Sequence, residues 1–308
     1  MKIESLSDAF GANAAGIAAM LIACAMFVVG DSCVKLAGQT LALGEIIFLR
    51  GLIGLPFILW IAAQAGVLPR LPHVFRNPRL LLRTAFEVGS AILFLAGIVR
   101  MGYADAIAIQ QFVPLAVMAG AALLFGQKIG WRRWTAAAVG FIGVMIVVKP
   151  GSGTFNWAAL LILGCVVCVA GRDLTTRKLG EAIPTALIAL LSISAVGASG
   201  LLLLPFETWQ MPTPYEWLLI AIAGISSLGG FYWSAEAMRR SDVTVVIPFR
   251  YSLIPYGVLS GIMVFGEYPG RTTYLGICII LATGLYALHR ERLRTREARA
   301  LATTNASR

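Results

Sequence analysis

The chain has 308 residues, of which 58% are hydrophobic and 13% charged, and its mean hydropathy is +0.82. A water-soluble domain carries about 25% charged residues, so these few charges cannot cover a solvated surface, and the composition is that of a membrane protein. The net charge of +10 does not signal nucleic-acid binding, because the basic residues sit in short stretches between apolar runs, where they act as orientation signals.

A membrane crossing takes about 20 mostly apolar residues. Residues 1–13, with Lys2, Glu4 and Asp8, form a cytoplasmic N-terminal tail. The first apolar run, 14–37, is too long for a signal-peptide core and carries Asp31 and Lys35, so it reads as a retained first helix. Four more runs follow at 42–63, 80–101, 103–125 and 132–149. The connection 65–82, with Pro69, Pro72 and Pro78, is the longest on the cytoplasmic side and is expected at the interface. Five further runs occupy 156–177, 183–205, 215–237, 242–266 and 272–289, and a basic tail, 290–308, is expected to fray from the last helix along the lipid surface. The runs are continuous rather than alternating, which excludes a β-barrel.

With the N-terminus in the cytoplasm, nineteen of the 25 basic residues fall on the inner side, and Arg100, Lys149 and Arg271 on the outer. Lys35, Arg50 and Arg250 lie within spans. This asymmetry predicts both termini inside and a multi-pass protein of the cell inner membrane.

The chain also repeats itself. Asp31–Gly38 reads DSCVKLAG and Asp173–Gly180 reads DLTTRKLG, each an acid, a base four residues on and a closing glycine, at an offset of 142. Phe125-Gly126-Gln127 matches Phe265-Gly266-Glu267 at an offset of 140, with Pro114 or Pro255 upstream. A five-helix unit repeated head to tail inserts in opposite senses. The expected fold is therefore all-α integral membrane, ten transmembrane helices as two inverted five-helix repeats, 14–150 and 151–289. Such repeats hold substrate near the midplane and rock around it.

The stretches GDSCVKLAG at 30–38, FLRG at 48–51, GYADAIAIQQFVPL at 102–115 and FGQKIGWRRWTAAAVGFIGVMIVVKPG at 125–151, with SDVTVVIPFRYS at 241–252 and VFGEYPGRTTYLGICIILATGLYALHRER at 264–292, resemble the drug/metabolite transporter superfamily in its ten-helix EamA-like branch. PFRYS followed by FGEYP is the most specific part and is similar to a bacterial subgroup that includes uptake carriers for riboflavin and S-adenosylmethionine. The resemblance implies a secondary transporter without a cofactor, and the wider family also contains exporters of amino acids and drugs. One departure stands out: Gln127 replaces the acid that the family often has in this pair, while the second half keeps Glu267. At a helix end, that position is not expected to serve transport.

A charge at the bilayer centre costs about 2.5–3.5 kcal/mol and marks a functional site by default. Arg50 and Arg250 are candidates to anchor a carboxylate, phosphate or polar ring edge, or else to clamp two helices as ion pairs. Glu87 is a candidate coupling site, as a buried carboxylate able to carry a proton, or else an arginine's partner. Asp31 with Lys35, and Asp173 with Arg177, are spaced to pair at i, i+4. They read either as gate latches on opposite sides or as snorkelling interfacial pairs. Asp105 and Asp242 open helices, where capping is expected. Glu45 and Glu236 are expected at the interface. Gln110 and Gln111 precede Pro114, and Pro248 and Pro255 bracket Arg250 and Tyr251, so helices 4 and 9 are expected to be kinked and to line a cavity. Gln110, Gln111, Trp233 and Tyr251 join the arginines as substrate-binding candidates. Arginines favour an acceptor-rich edge and aromatics a planar one, which suits riboflavin somewhat better than cationic S-adenosylmethionine. Gly257 and Gly261 form a GxxxG packing motif. Ser192, Ser194, Gly197, Ser199 and Gly200 are expected to serve helix packing.

Competing functions find little footing. The phosphate-loop pattern GxxxxGK[ST] is absent. The two histidines, His73 and His289, form no metal or nucleophile constellation, and Cys165 and Cys168, at CxxC spacing, have no second pair. An enzyme is thus not expected, while a channel remains the other class. The expected partners are a small metabolite and the bilayer, no nucleic acid, with a homodimer as a compatible assembly.

Overall fold

A computed structural model describes residues 6–70, 77–126, 130–150, 156–179, 183–240 and 246–306. Among them the secondary structure is entirely helical. The first half comprises α1 (Leu6–Ala37), α2 (Leu43–Gln64), α3 (Pro78–Arg100), a broken α4 (α4a, Tyr103–Gln110; α4b, Val113–Phe125) and α5 (Trp131–Val148). The second comprises α6 (Ala158–Leu179), α7 (Thr185–Leu203), α8 (Pro214–Arg240), α9 (a 3-10 turn, Ile247–Ser252, running into α-helix Leu253–Phe265) and α10 (Arg271–Ala306).

Local sequence explains the ends. Asn77 caps α3, its Oδ1 accepting from the amides of Arg79 at 3.1 Å and Leu80 at 3.4 Å. Thr213 and Glu216 form a capping box at the start of α8: Glu216 Oε2 accepts from Thr213 N at 2.6 Å, and Thr213 Oγ1 accepts from Glu216 N at 3.4 Å. α4b and α9 each stop at a left-handed glycine, Gly126 at φ 63° and Gly266 at φ 64°. The kinks expected in helices 4 and 9 are present. Pro114 interrupts the first, and Pro248 and Pro255 leave the second as a 3-10 turn before the regular helix begins.

Eight helices are long and apolar enough to cross a membrane, among the described residues. The other two apolar runs fall short for local reasons. The apolar part of α5 is Trp134–Val148, and the regular α-helix of α9 covers only Leu253–Phe265. The basic tail continues α10 as helix to Ala306 rather than fraying after residue 289.

Helices pack in pairs drawn from both halves: α1 on α8, α3 on α6, α2 on α7, α4 on α9 and α5 on α10. Close backbone approach makes these pairs. At the α2–α7 crossing a methyl on Gly51 would lie 2.5 Å from the Cα of Gly197, and one on Gly200 would lie 2.3 Å from the carbonyl of Gly44. Gly257 receives Ile107, and Gly261 lies beside Ala104, so the GxxxG motif seats α4a. The main core joins both halves through Met20, Ile46, Ile98, Ile107, Ile162, Ile220 and Ile280.

A candidate transport pathway

Among the described residues, helices 4 and 9 pack together mainly through α4a. α4a lies on the α-helical part of α9 through Ile107 and Gly257, whereas α4b lies on α6 through Gly120 and Leu174. The 3-10 part of α9 turns instead to α1 and α10: the Cys24 thiol faces the carbonyls of Phe249 and Arg250 at 4.0 and 3.8 Å, and the Tyr251 ring packs on Gly284. The crossing is therefore shut at one end and parted at the other.

Lys35 clamps the shut end. Its Nζ donates to Glu267 Oε1 at 2.6 Å and to the Met101 carbonyl at 2.7 Å, and it lies 4.8 Å over the Phe265 ring. The second oxygen of Glu267 accepts from the Tyr103 amide at 2.7 Å. One lysine and one glutamate thus join α1, the α3–α4 turn and the end of α9. The i, i+4 partnership expected for Asp31 and Lys35 gives way to this arrangement, because Glu267 reaches the ammonium from another helix. Asp31 instead accepts from the Tyr103 hydroxyl at 3.5 Å. Two capping expectations shift as well. Glu267, not Asp105, serves the first amide of α4a, and Asp105 accepts from Thr273 at 2.7 Å. Glu45 is buried against its neighbours in the first turn of α2. Asp242 lies outside the described residues.

At the opposite end Glu87 sits between two arginines. Arg83 reaches one oxygen at 2.9 Å and Arg172 the other at 3.1 Å. Arg172 also holds Asp173 at 2.9 Å, and Arg83 donates to Ser192 at 2.6 Å and Thr176 at 3.3 Å. The isolated carboxylate expected at Glu87 is thus a doubly paired one tying α3 to α6, with α7 attached through Ser192. The side chain of Arg177 lies outside the described residues, and Asp173 takes Arg172 as its partner.

Between the two ends lies a cavity of about 140 Å³, walled by Ile47, Arg50, Gly51 and Gly54 of α2, Glu87, Ala91 and Leu95 of α3, Ser192, Ile193 and Val196 of α7, and Gly224, Ser227, Leu228 and Phe231 of α8. Arg50 Nη1 is buried there without a hydrogen-bond partner among the described residues. The charge facing it is Asp31. An unmet guanidinium N–H beside hydroxyls, a carboxylate and an aromatic ring suits a polar ligand with an acceptor edge. A wider opening, about 400 Å³, caps the shut end between Gln39, Thr40, Arg100, Glu207 and Gln210.

Of the substrate-binding candidates, Arg50 lines the cavity. Gln110 lies at the break in helix 4 beside Cys165, Gln111 is buried, and Tyr251 is buried with its hydroxyl unpartnered among the described residues. Trp233 stacks edge-on with Tyr232 at 5.5 Å, and Arg250 is exposed at the parted end. Sequence reading overlooked Arg83 and Arg172 as site residues, counting them with the cytoplasmic charges. Arg83 carried a signal, its i, i+4 spacing to Glu87.

The sequence pattern of the EamA-like transporter family matches this chain twice, over residues 14–149 and again over 156–288. A riboflavin transporter of Vibrio cholerae is 33% identical over 64% of this chain and 66% of its own length. An S-adenosylmethionine uptake transporter of Rickettsia prowazekii is 24% identical over 93% of this chain and 97% of its own. A pseudopaline exporter of Pseudomonas aeruginosa is 28% identical over 86% of this chain and 93% of its own. A solved crystal structure shares the fold, with a TM-score of 0.58 at 19% identity, over 91% of this chain and 99% of that one.

Proposed function

The chain belongs to the EamA-like transporter family, and from that premise we propose that it takes up a planar, acceptor-rich metabolite, riboflavin ahead of S-adenosylmethionine, across the cell inner membrane. The observation that carries the substrate class is Arg50: a membrane-depth guanidinium with an unmet N–H in a cavity that also offers Ser192, Ser227 and Phe231. A carbonyl or carboxylate edge would satisfy the donor, and Phe231 offers a face to a flat ring. The riboflavin relative's 33% identity adds to this preference.

The transport cycle follows from ten helices in two inverted halves, with both termini cytoplasmic. Three observations support that arrangement: the doubled family match, the basic residues concentrated on one side, and the packing pairs. Exchanging each helix of one half for its counterpart in the other turns α1–α8 into α6–α3 and leaves α2–α7, α4–α9 and α5–α10 as they are. In this orientation the Lys35–Glu267 clamp is the external gate, shut, and the parted ends of helices 4 and 9 face the cytoplasm. A cavity of about 140 Å³ is smaller than the about 300–1,000 Å³ of pockets for drug-sized ligands, so loading requires the halves to move apart. Rocking about α4 and α9 exposes Arg50 to each side in turn.

The test is growth rescue. Expression should restore a riboflavin auxotroph on limiting riboflavin, and Arg50→Ala should abolish rescue without reducing membrane-inserted protein. Rescue of an S-adenosylmethionine auxotroph alone would replace the substrate. Net efflux with neither rescue would favour the second reading, an exporter, which the 28% identity to the pseudopaline exporter supports.

A further inference from the structure

We infer that Asp31 is the proton-coupling carboxylate of this carrier and that it works by answering or releasing the charge of Arg50, an inference resting on the Arg50 substrate site proposed above.

The two membrane carboxylates near that site are held very differently. Glu87 meets a guanidinium at each oxygen, at 2.9 and 3.1 Å, so both of its oxygens are engaged. Among the described residues Asp31 has only the Tyr103 hydroxyl, at the long distance of 3.5 Å, and the more distant charge of Arg50. The lysine one turn along α1 is committed elsewhere, to Glu267 and the Met101 carbonyl. Other neighbours leave Asp31 similarly free. α6 brings the thiol of Cys165, α8 brings Ser226 and Ser227 against Gly30, and α9 brings Ser260, which is bonded to Ser32 at 2.6 Å. Asp31 also remains partly accessible, unlike the fully buried Tyr103.

The charge balance gives the mechanism. In the empty carrier, ionised Asp31 answers Arg50, and an uncompensated buried charge is avoided. A proton from the external side binds a carboxylate oxygen of Asp31, which becomes neutral. Arg50 is then unanswered, and its free Nη1 takes the acceptor edge of the substrate. Proton and substrate load together and leave together: on the cytoplasmic side the Asp31 O–H bond breaks, and the restored carboxylate reclaims Arg50 and displaces the acceptor. The only bond made and broken is that O–H bond, and the proton gradient is the driving reactant. One proton per neutral substrate permits up to about tenfold greater accumulation per pH unit. The Tyr103 hydroxyl ties Asp31 to the residue whose amide Glu267 holds, so the same event bears on the external gate.

The experiment uses the full chain in proteoliposomes, with radiolabelled riboflavin and S-adenosylmethionine as probes. Counterflow at equal pH reads exchange, and uptake under an acid-outside gradient reads coupling. Wild type should respond to a one-unit gradient with a severalfold rise in initial uptake. Asp31→Asn should keep counterflow within about threefold of wild type while losing that rise, and Asp31→Glu should recover it. Glu87→Gln should lower both readouts together. A gradient response retained in Asp31→Asn, or lost selectively in Glu87→Gln, overturns the inference. So does wild-type uptake that ignores the gradient while counterflow persists, which leaves the transport reading standing. Counterflow of neither probe overturns the substrate reading itself.

Discussion

At the scale of single residues, the membrane charges of this chain divide into those that answer one another and those that are left to answer something else. Glu87 belongs to the first group. Removing one partner of a buried ion pair costs about 3–5 kcal/mol, and here the pair side chains retain 11–22% exposure, which places the cost below that range. Glu87→Ala leaves Arg83 and Arg172 facing each other without a carboxylate and should lower the thermal midpoint of the detergent-solubilised protein by several degrees. Arg172→Gln, which leaves Arg83 on Glu87, should lower it less. Equal midpoints for Glu87→Ala and wild type would remove Glu87 from the stabilising framework. Arg50 belongs to the second group. Its depth in an apolar run was legible in the sequence, but the difference between Arg50, in a cavity, and Arg250, exposed at the parted end, was not. That difference depends on which helices stand opposite, and a one-dimensional pattern does not carry it.

At the scale of helices, the apolar runs, the proline breaks and the small-residue seams could be read directly, because each follows from local chemistry. Partner choice could not. Asp31 and Lys35 have good spacing for a pair within α1, yet Glu267 arrives from the α9–α10 connection and takes the lysine. The offset of 140 between Gln127 and Glu267 marked a helix-end position from which no part in transport was expected, whereas Glu267 holds Lys35 at 2.6 Å. Charge exchange tests the clamp. Lys35→Glu alone sets two carboxylates together and should cut uptake at least tenfold. The double variant Lys35→Glu with Glu267→Lys should recover a substantial part, since attraction is restored with its sign reversed. A double variant no better than the single one would show that the clamp is not what these residues contribute. Helix seams make a sharper demand. A methyl at Gly51 meets the Gly197 backbone at 2.5 Å, while one at Gly130 meets nothing within 4 Å among the described residues. Gly51→Ala should therefore reduce the yield of folded protein, and Gly130→Ala should leave it unchanged.

At the scale of the whole molecule, the direction of every gate depends on one assignment, which side of the membrane holds the Lys35–Glu267 end. The orientation proposed above puts that end outside, because the sequence concentrates its lysines and arginines in the segments expected on the other side. Met211 is 88% exposed in the α7–α8 connection at the Lys35 end, and Gly130 opens α5 at the other. In a background with the five native cysteines replaced, a membrane-impermeant maleimide should label Met211→Cys in intact spheroplasts and spare Gly130→Cys. Inverted vesicles should reverse the pattern. The opposite result would move the clamp to the cytoplasmic face and turn the parted ends of helices 4 and 9 outward. The same contacts would then describe a carrier waiting for substrate from outside rather than one that has released it within. Because the two halves pack as counterparts, nothing in their internal geometry distinguishes these descriptions. The lysines and arginines outside the bundle do, which makes the labelling experiment the one that gives the mechanism its direction.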